Sequence, residues 1–155
     1  MERKTEEIPA VIDNLRRIFQ ALSEYANNAE KTTGLTGTQL WGMKLVAEHA
    51  PLRVTDLARL MYLHPATIVG ILDRLEAKGL ITRTRSQQDR RAVDITLSEP
   101  GREITARAPE TAQDILLKGL EGLSEDEFSR VADGMALMVR ILRVEHISPQ
   151  PLHPS

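Results

Sequence analysis

Asp89-Arg90-Arg91 closes a polar stretch that begins at Ser86, between two runs rich in β-branched residues. An arginine carried on a loop tip can enter the narrow minor groove of A·T-rich DNA, where the potential is most negative. A carboxylate such as Asp89 can hold the guanidinium fork and shape the loop. A second pattern lies upstream, at His64-Pro65-Ala66-Thr67 with Val69 and Gly70. These residues are small and nearly uncharged, so a helix bearing them can lie close to base edges. Ala66, Thr67 and Val69 suit thymine methyl groups, and Thr67 and His64 are candidates for base hydrogen bonds. A helix N-terminus there also favours a nearby phosphate. An ordinary proline-led surface helix and a hairpin tip kept soluble by its charges would use some of the same residues.

Other chemistries find less support. The chain has no cysteine, which excludes a disulfide framework, a thiolate metal site and a cysteine nucleophile. His49, His64, His146 and His153 form no i,i+4 pair and no carboxylate cluster at metal-ligand spacing, so no metal or other cofactor is expected. His49 beside Glu48 reads as a surface or cap pair. No nucleophile elbow or phosphate loop accompanies the serines and aspartates, so no enzyme is expected. No apolar run is long enough to span a bilayer, and no apolar segment follows the charged N-terminus. A cytoplasmic protein without membrane association is the expectation.

The net charge of −2 over 155 residues argues at first against a polyanionic partner. Along the chain the balance is uneven. Residues 51–102 carry nine Lys/Arg against six Asp/Glu, residues 1–50 six against seven, and residues 103–155 five against nine. Affinity for nucleic acid follows local clustering of positive charge, and the candidate residues lie in the basic segment.

The elements that must carry these residues follow from periodicity. Residues 8–29 place Ile8, Val11, Ile12, Leu15, Ile18, Phe19, Leu22 and Tyr25 at helical spacing, and Gly34 ends the region. A second helix starts at Thr36, where Gln39 completes capping-box spacing, and runs to about His49 before Pro51. A short third helix follows Val54, with Thr55 as expected N-cap. A fourth starts at His64-Pro65 and stops at Gly79. The period then becomes two: residues 80–85 and 92–97 read as a hairpin, with Val93, Ile95 and Leu97 on one face. Ser98-Glu99-Pro100-Gly101 breaks it. Helical spacing returns from Arg102 to about Gly119, with Pro109 expected to kink or split the helix. A last helix starts at Ser124, with Glu127 completing a capping box. Its stripe is Phe128, Val131, Met135, Met138, Ile141 and Leu142. The proline-containing tail beyond His146 is expected to fray. The fold class is therefore mainly α with a small β-wing, a winged helix-turn-helix.

Three segments together resemble the signature of MarR-type transcriptional regulators: Leu72-Asp73-Arg74-Leu75-Glu76-Ala77-Lys78-Gly79-Leu80-Ile81, then Asp89-Arg90-Arg91, then Leu97-Ser98-Glu99-Pro100-Gly101. The motif match covers roughly residues 37–103, and the flanking helices follow the family plan. The resemblance implies a homodimer held by helices in residues 1–34 and 102–146, around a DNA-binding domain at 35–101, with a flexible tail at 147–155. It implies a repressor on a near-palindromic operator in double-stranded DNA, released by a small aromatic or phenolic effector. By motif position Arg91 is the minor-groove arginine, Asp89 its partner, and the fourth helix the recognition helix. Arg74 lies near the DNA backbone or braces the wing. Arg83, Arg85 and Arg90 complete the candidate set. The missing cysteines remove the oxidation switch of peroxide-sensing members.

The long apolar stripes of the first and last helices point to a partner subunit independently of any resemblance. The resemblance implies an effector region between those helices and the winged domain, which here would be lined by Leu15, Phe19, Trp41 and Met43. Two readings fit Trp41, a core residue at a helix junction or a stacking platform for an aromatic ligand. A winged-helix module that binds protein and not DNA is the alternative function.

Overall fold

The computed structural model describes residues 2–152. His153 and the two residues after it lie outside them, as does Met1. Seven helices and one hairpin follow in the order α1 (Glu2–Thr33), α2 (Gly37–His49), α3 (Val54–Met61), α4 (Pro65–Ala77), β1 (Ile81–Arg85), β2 (Val93–Leu97), α5 (Glu99–Ala106), α6 (Ala112–Glu121) and α7 (Glu125–Leu142).

Two helix starts marked by local chemistry stand where the sequence puts them: Thr36 and Ser124 cap α2 and α7, and Gln39 and Glu127 complete reciprocal capping boxes. A third box, Thr111 with Asp114, starts α6 inside the helical stretch expected from Arg102. Gly34 leaves α1 with φ 71°, a left-handed conformation that suits glycine. Three boundaries differ. α1 starts at Glu2 instead of residue 8, because its first turns are polar and carry no apolar period; an Arg3–Glu7 pair at 3.1 Å supports them. Arg53, not Thr55, is the N-cap of α3 and makes no side-chain cap bond. There the chain direction is set by Leu52, which exchanges backbone bonds with Ile95 of the hairpin (2.7 and 3.3 Å). Ser98-Glu99-Pro100-Gly101 ends the hairpin but also begins α5: Ser98 is its N-cap and Pro100 sits in its first turn. The expected long helix is split around Pro109, with α5 ending at Ala106 and α6 starting at Ala112.

The core joins α2, α3, α4 and the hairpin. Leu40, Met43, Leu57, Ile68, Leu72, Leu75, Ile81 and Ile95 are all but fully buried. Each such side chain contributes about 1.5–3 kcal/mol by leaving water. β1 and β2 pair antiparallel from Ile81↔Leu97 to Arg85↔Val93. Ile95 and Leu97 face the core, while Val93, at the tip end, is exposed. This core clamps the two short helices and the wing into one unit.

α1 and α7 lie differently. Ile8, Val11, Ile12, Ile18 and Phe19 of α1 are exposed, and α7 contains no buried residue at all. Phe19 is 67% exposed and Met135 59%. Among the described residues, no helix is long and apolar enough to cross a membrane.

Candidate nucleic-acid interface

α3 ends in a left-handed residue, Tyr62 (φ 54°), and the chain turns at once into α4. The N–H of Leu63 closes that turn on the Ala58 carbonyl at 3.0 Å. His64 then caps α4: its Nδ1 accepts the Ala66 N–H at 3.1 Å. The ring thus has a structural duty, and only Nε2 remains for an outside partner. Ile68, Ile71, Leu72 and Leu75 bury the rear of α4. Pro65, Ala66 and Val69 are exposed on it, and Thr67 and Gly70 half-buried. A Cβ added at Gly70 would meet nothing within 4 Å.

The wing tip is ordered by its own backbone. Ser86 is buried, and its Oγ accepts the N–H groups of Gln88 (3.2 Å) and Asp89 (3.4 Å). Asp89 Oδ1 accepts the backbone N–H of Arg91 at 3.0 Å. The carboxylate therefore holds the loop backbone and not, as expected, the Arg91 guanidinium. A two-residue Asx turn is the nearer geometry for so short a side chain. Asp89 Oδ2 lies 3.9 Å from an Arg53 nitrogen, which ties the tip back to the start of α3. Arg53 and Ser86 are thus missed by a reading of charge alone; the Ser-x-x-Asp spacing was the available signal for Ser86.

The arginines divide into two groups. Arg83 donates to Asp73 (2.6 Å) and, through Nε, to Glu76 (2.7 Å), both on α4. Those bonds hold its guanidinium above its ordinary pKa despite some desolvation. Arg83 locks the wing to α4, so the bracing considered for Arg74 is performed by it. Arg74 instead lines a groove with Glu30, Gly34, Thr36 and Gln39, on the α1–α2 side of α4. Arg85, Arg90 and Arg91 are exposed, and no hydrogen bond or ion pair engages their side chains among the described residues.

A separate cavity of about 490 Å³ opens between the helix-turn-helix and α6. Trp41, Met61, Tyr62, Leu117 and Phe128 are among its walls, and Gln150, Pro151 and Leu152 return from the C-terminal segment to close one side. Of the four residues expected at an effector site, the structure brings only Trp41 here. Met43 is fully buried in the core, and on α1 Leu15 is half-buried and Phe19 exposed, neither of them lining the cavity. Gln113 was not anticipated. It is 7% exposed, donates to Thr38 Oγ1 at 3.3 Å, and leaves its Oε1 buried without a partner among the described residues.

Two short helices joined by a tight turn, followed by a two-stranded wing, define a winged helix-turn-helix protein. The sequence pattern of the MarR family matches residues 35–93. The HTH-type transcriptional repressor MdtR of Bacillus subtilis is 29% identical over 119 residues, covering 77% of each chain. The organic hydroperoxide resistance transcriptional regulator of the same organism is 32% identical over 108 residues, covering 70% of this chain and 72% of its own. In structure, Staphylococcus aureus MepR in its DNA complex superposes with a TM-score of 0.57 over 83% of this chain and 94% of that one, at 22% identity, a likeness of fold. The chain belongs to the MarR family and is a transcriptional regulator.

Proposed function

We propose that the chain is a homodimeric DNA-binding repressor acting on a near-palindromic operator, and that a small aromatic effector in the Trp41 cavity releases it. The observation that carries the reading is the wing tip. Its backbone is fixed by Ser86 and Asp89, while the guanidiniums of Arg85, Arg90 and Arg91 stay exposed and unengaged by other described residues. A rigid loop presenting uncommitted arginines is suited to phosphates and a minor groove. The small outward residues of α4, His64 to Gly70, would then read the major groove, as Thr67 and Val69 allow. The relative MepR is known in a complex with DNA, which supports this use of the fold.

The dimer reading rests on α1 and α7, whose apolar stripes stand exposed in the single chain. Two-fold symmetry would set the two α4 helices about 34–36 Å apart, one turn of B-DNA. Effector coupling rests on position. Tyr62 and Leu63 line the cavity and directly precede His64, the cap of α4. A ligand that displaces that turn re-aims the recognition helix. The chain has no cysteine, so the switch is binding rather than thiol oxidation.

Selection of bound duplexes from a random pool tests the proposal. Two inverted half-sites spaced one helical turn apart are expected. No retention of any duplex at low salt would refute it and favour a protein-interaction module.

A further inference from the structure

We infer that the Trp41 cavity selects its effector by charge, accepting aromatic amines in their cationic form over neutral analogues and rejecting aromatic carboxylates. The inference rests on the reading of this cavity as the effector site and names the class of ligand it takes.

The argument starts from the charges around the cavity. Its walls are apolar and aromatic, with Trp41, Tyr62 and Phe128 supplying ring surface. Among the described residues, Glu121, the last residue of α6, is the one charged residue lining it, and no lysine, arginine or histidine does so. Glu121 is exposed, and its carboxylate makes no hydrogen bond or ion pair with other described residues. A neighbouring groove shares Trp41, Tyr62, Leu117 and Glu121 and does contain cations. Those have carboxylate partners: Arg59 has Asp56 at 2.7 Å, Lys118 has Glu110 at 3.4 Å, and His49, also in that groove, has Glu48 at 3.8 Å. The acid in that groove nearest the core, Asp114, is answered by Lys44.

The second observation is inside. Gln113 lines the cavity, is more than nine-tenths buried, and has an Oε1 with no donor among the described residues. An orphaned buried carbonyl is costly and asks for an N–H or O–H. The Nε2 of the same amide is already given to Thr38. An ammonium or protonated amine brings donors only, so it fits the empty acceptor. A carboxylate brings acceptors only, leaves the Gln113 Oε1 unanswered, and faces Glu121 at the rim. Desolvating it there is unfavourable. A cation gains from both the aromatic faces and the uncompensated carboxylate.

Three ligands of one shape separate the possibilities: 1-naphthylmethylammonium, 1-naphthylmethanol and 1-naphthoate, titrated calorimetrically into the full-length protein without DNA at low ionic strength. The ammonium is expected to bind roughly tenfold tighter than the alcohol, given one carboxylate and the ring faces. The carboxylate is expected to bind weakest. Glu121→Gln, at an exposed position that leaves the core untouched, should remove most of the cation's advantage and leave the alcohol's affinity unchanged. Binding of 1-naphthoate as tight as that of the ammonium, or an advantage of the cation undiminished by Glu121→Gln, overturns the inference. If the alcohol binds and the cation gains nothing over it, the charge selection fails while the cavity stands as the effector site. If none of the three binds, both readings fall.

Discussion

Gly101→Ala isolates the contact that seats α5 against the wing. A Cβ at this position would lie 2.1 Å from the Leu80 carbonyl oxygen, 3.1 Å from its carbon and 3.4 Å from Met43 Cε. The obstacle is backbone, so relief requires the first turn of α5 and the start of β1 to part by on the order of 1 Å. Neither is free to move. The Leu80 carbonyl accepts the Ser98 N–H at 3.0 Å, and Leu80 and Ile81 are buried. Ser98 Oγ donates to the Gly79 carbonyl at 2.6 Å and accepts the Gly101 N–H at 3.2 Å, so the cap is strained as well. Overpacking of this kind costs about 1–3 kcal/mol. Weakening the Leu80–Ser98 bond adds about 1 kcal/mol. The helical preference of alanine over glycine returns at most about 1 kcal/mol. The net is a loss of about 1–3 kcal/mol, or roughly 2–12 °C in Tm for a chain of this size. Gly119→Ala, in α6, is the matched control: nothing lies within 4 Å of its Cβ, so the same substitution should stabilise by up to about 1 kcal/mol. Thermal unfolding followed by far-ultraviolet circular dichroism reads both, at one protein concentration because a dimer's midpoint depends on it. A Gly101→Ala midpoint within about 1 °C of the unsubstituted protein would refute the close-approach argument.

Arg91→Ala should weaken binding of a selected operator by about 1–3 kcal/mol and lower the slope of affinity against salt, measured by fluorescence anisotropy; an unchanged Kd would remove Arg91 from the interface. Asp114 links α6 to Lys44 on α2. Burial pushes its carboxyl pKa up, but hydrogen bonds from Lys44 and Thr111 outweigh that and leave it below the ordinary value. A carboxyl lowered on folding stabilises fully above its unfolded value and loses that contribution as pH falls through the folded one. Asp114→Asn should therefore cost about 1–3 kcal/mol at neutral pH. The gap in Tm should hold down to about pH 4 and shrink only below it. A gap that closed between pH 7 and pH 5 would contradict the assignment. Met135→Asp, on the open stripe of α7, should convert the dimer to monomer in sedimentation experiments and abolish cooperative operator binding. A dimer that persisted would place the interface elsewhere.

Much of this molecule was readable from residues that act on near neighbours. Thr36 with Gln39 and Ser124 with Glu127 are three apart, so the cap and its partner are written side by side. The alternation of Ile95 and Leu97 and the helical spacing of Ile68, Leu72 and Leu75 gave the core faces, because each period is a property of one element. The basic segment and the order helix, helix, hairpin were legible for the same reason.

What required the tertiary structure were choices between partners distant in sequence. Ser98-Glu99-Pro100-Gly101 reads equally well as a strand break or a proline-led helix start, and the approach of Gly101 to Leu80 decides it. Arg83, Arg85, Arg90 and Arg91 are alike in sequence. Only the placement of Asp73 and Glu76 on α4 commits Arg83 to holding the wing. Asp89 went to backbone, Trp41 and Met43 both entered the core and only Trp41 also lined the cavity, and Gln113 met Thr38 across 75 positions of chain. Hydrophobic periodicity fixes which side of an element leaves water, since that depends on local geometry. Which charge meets which, and what a cavity lacks, depends on where separate elements come to rest, and no single element's sequence carries that information.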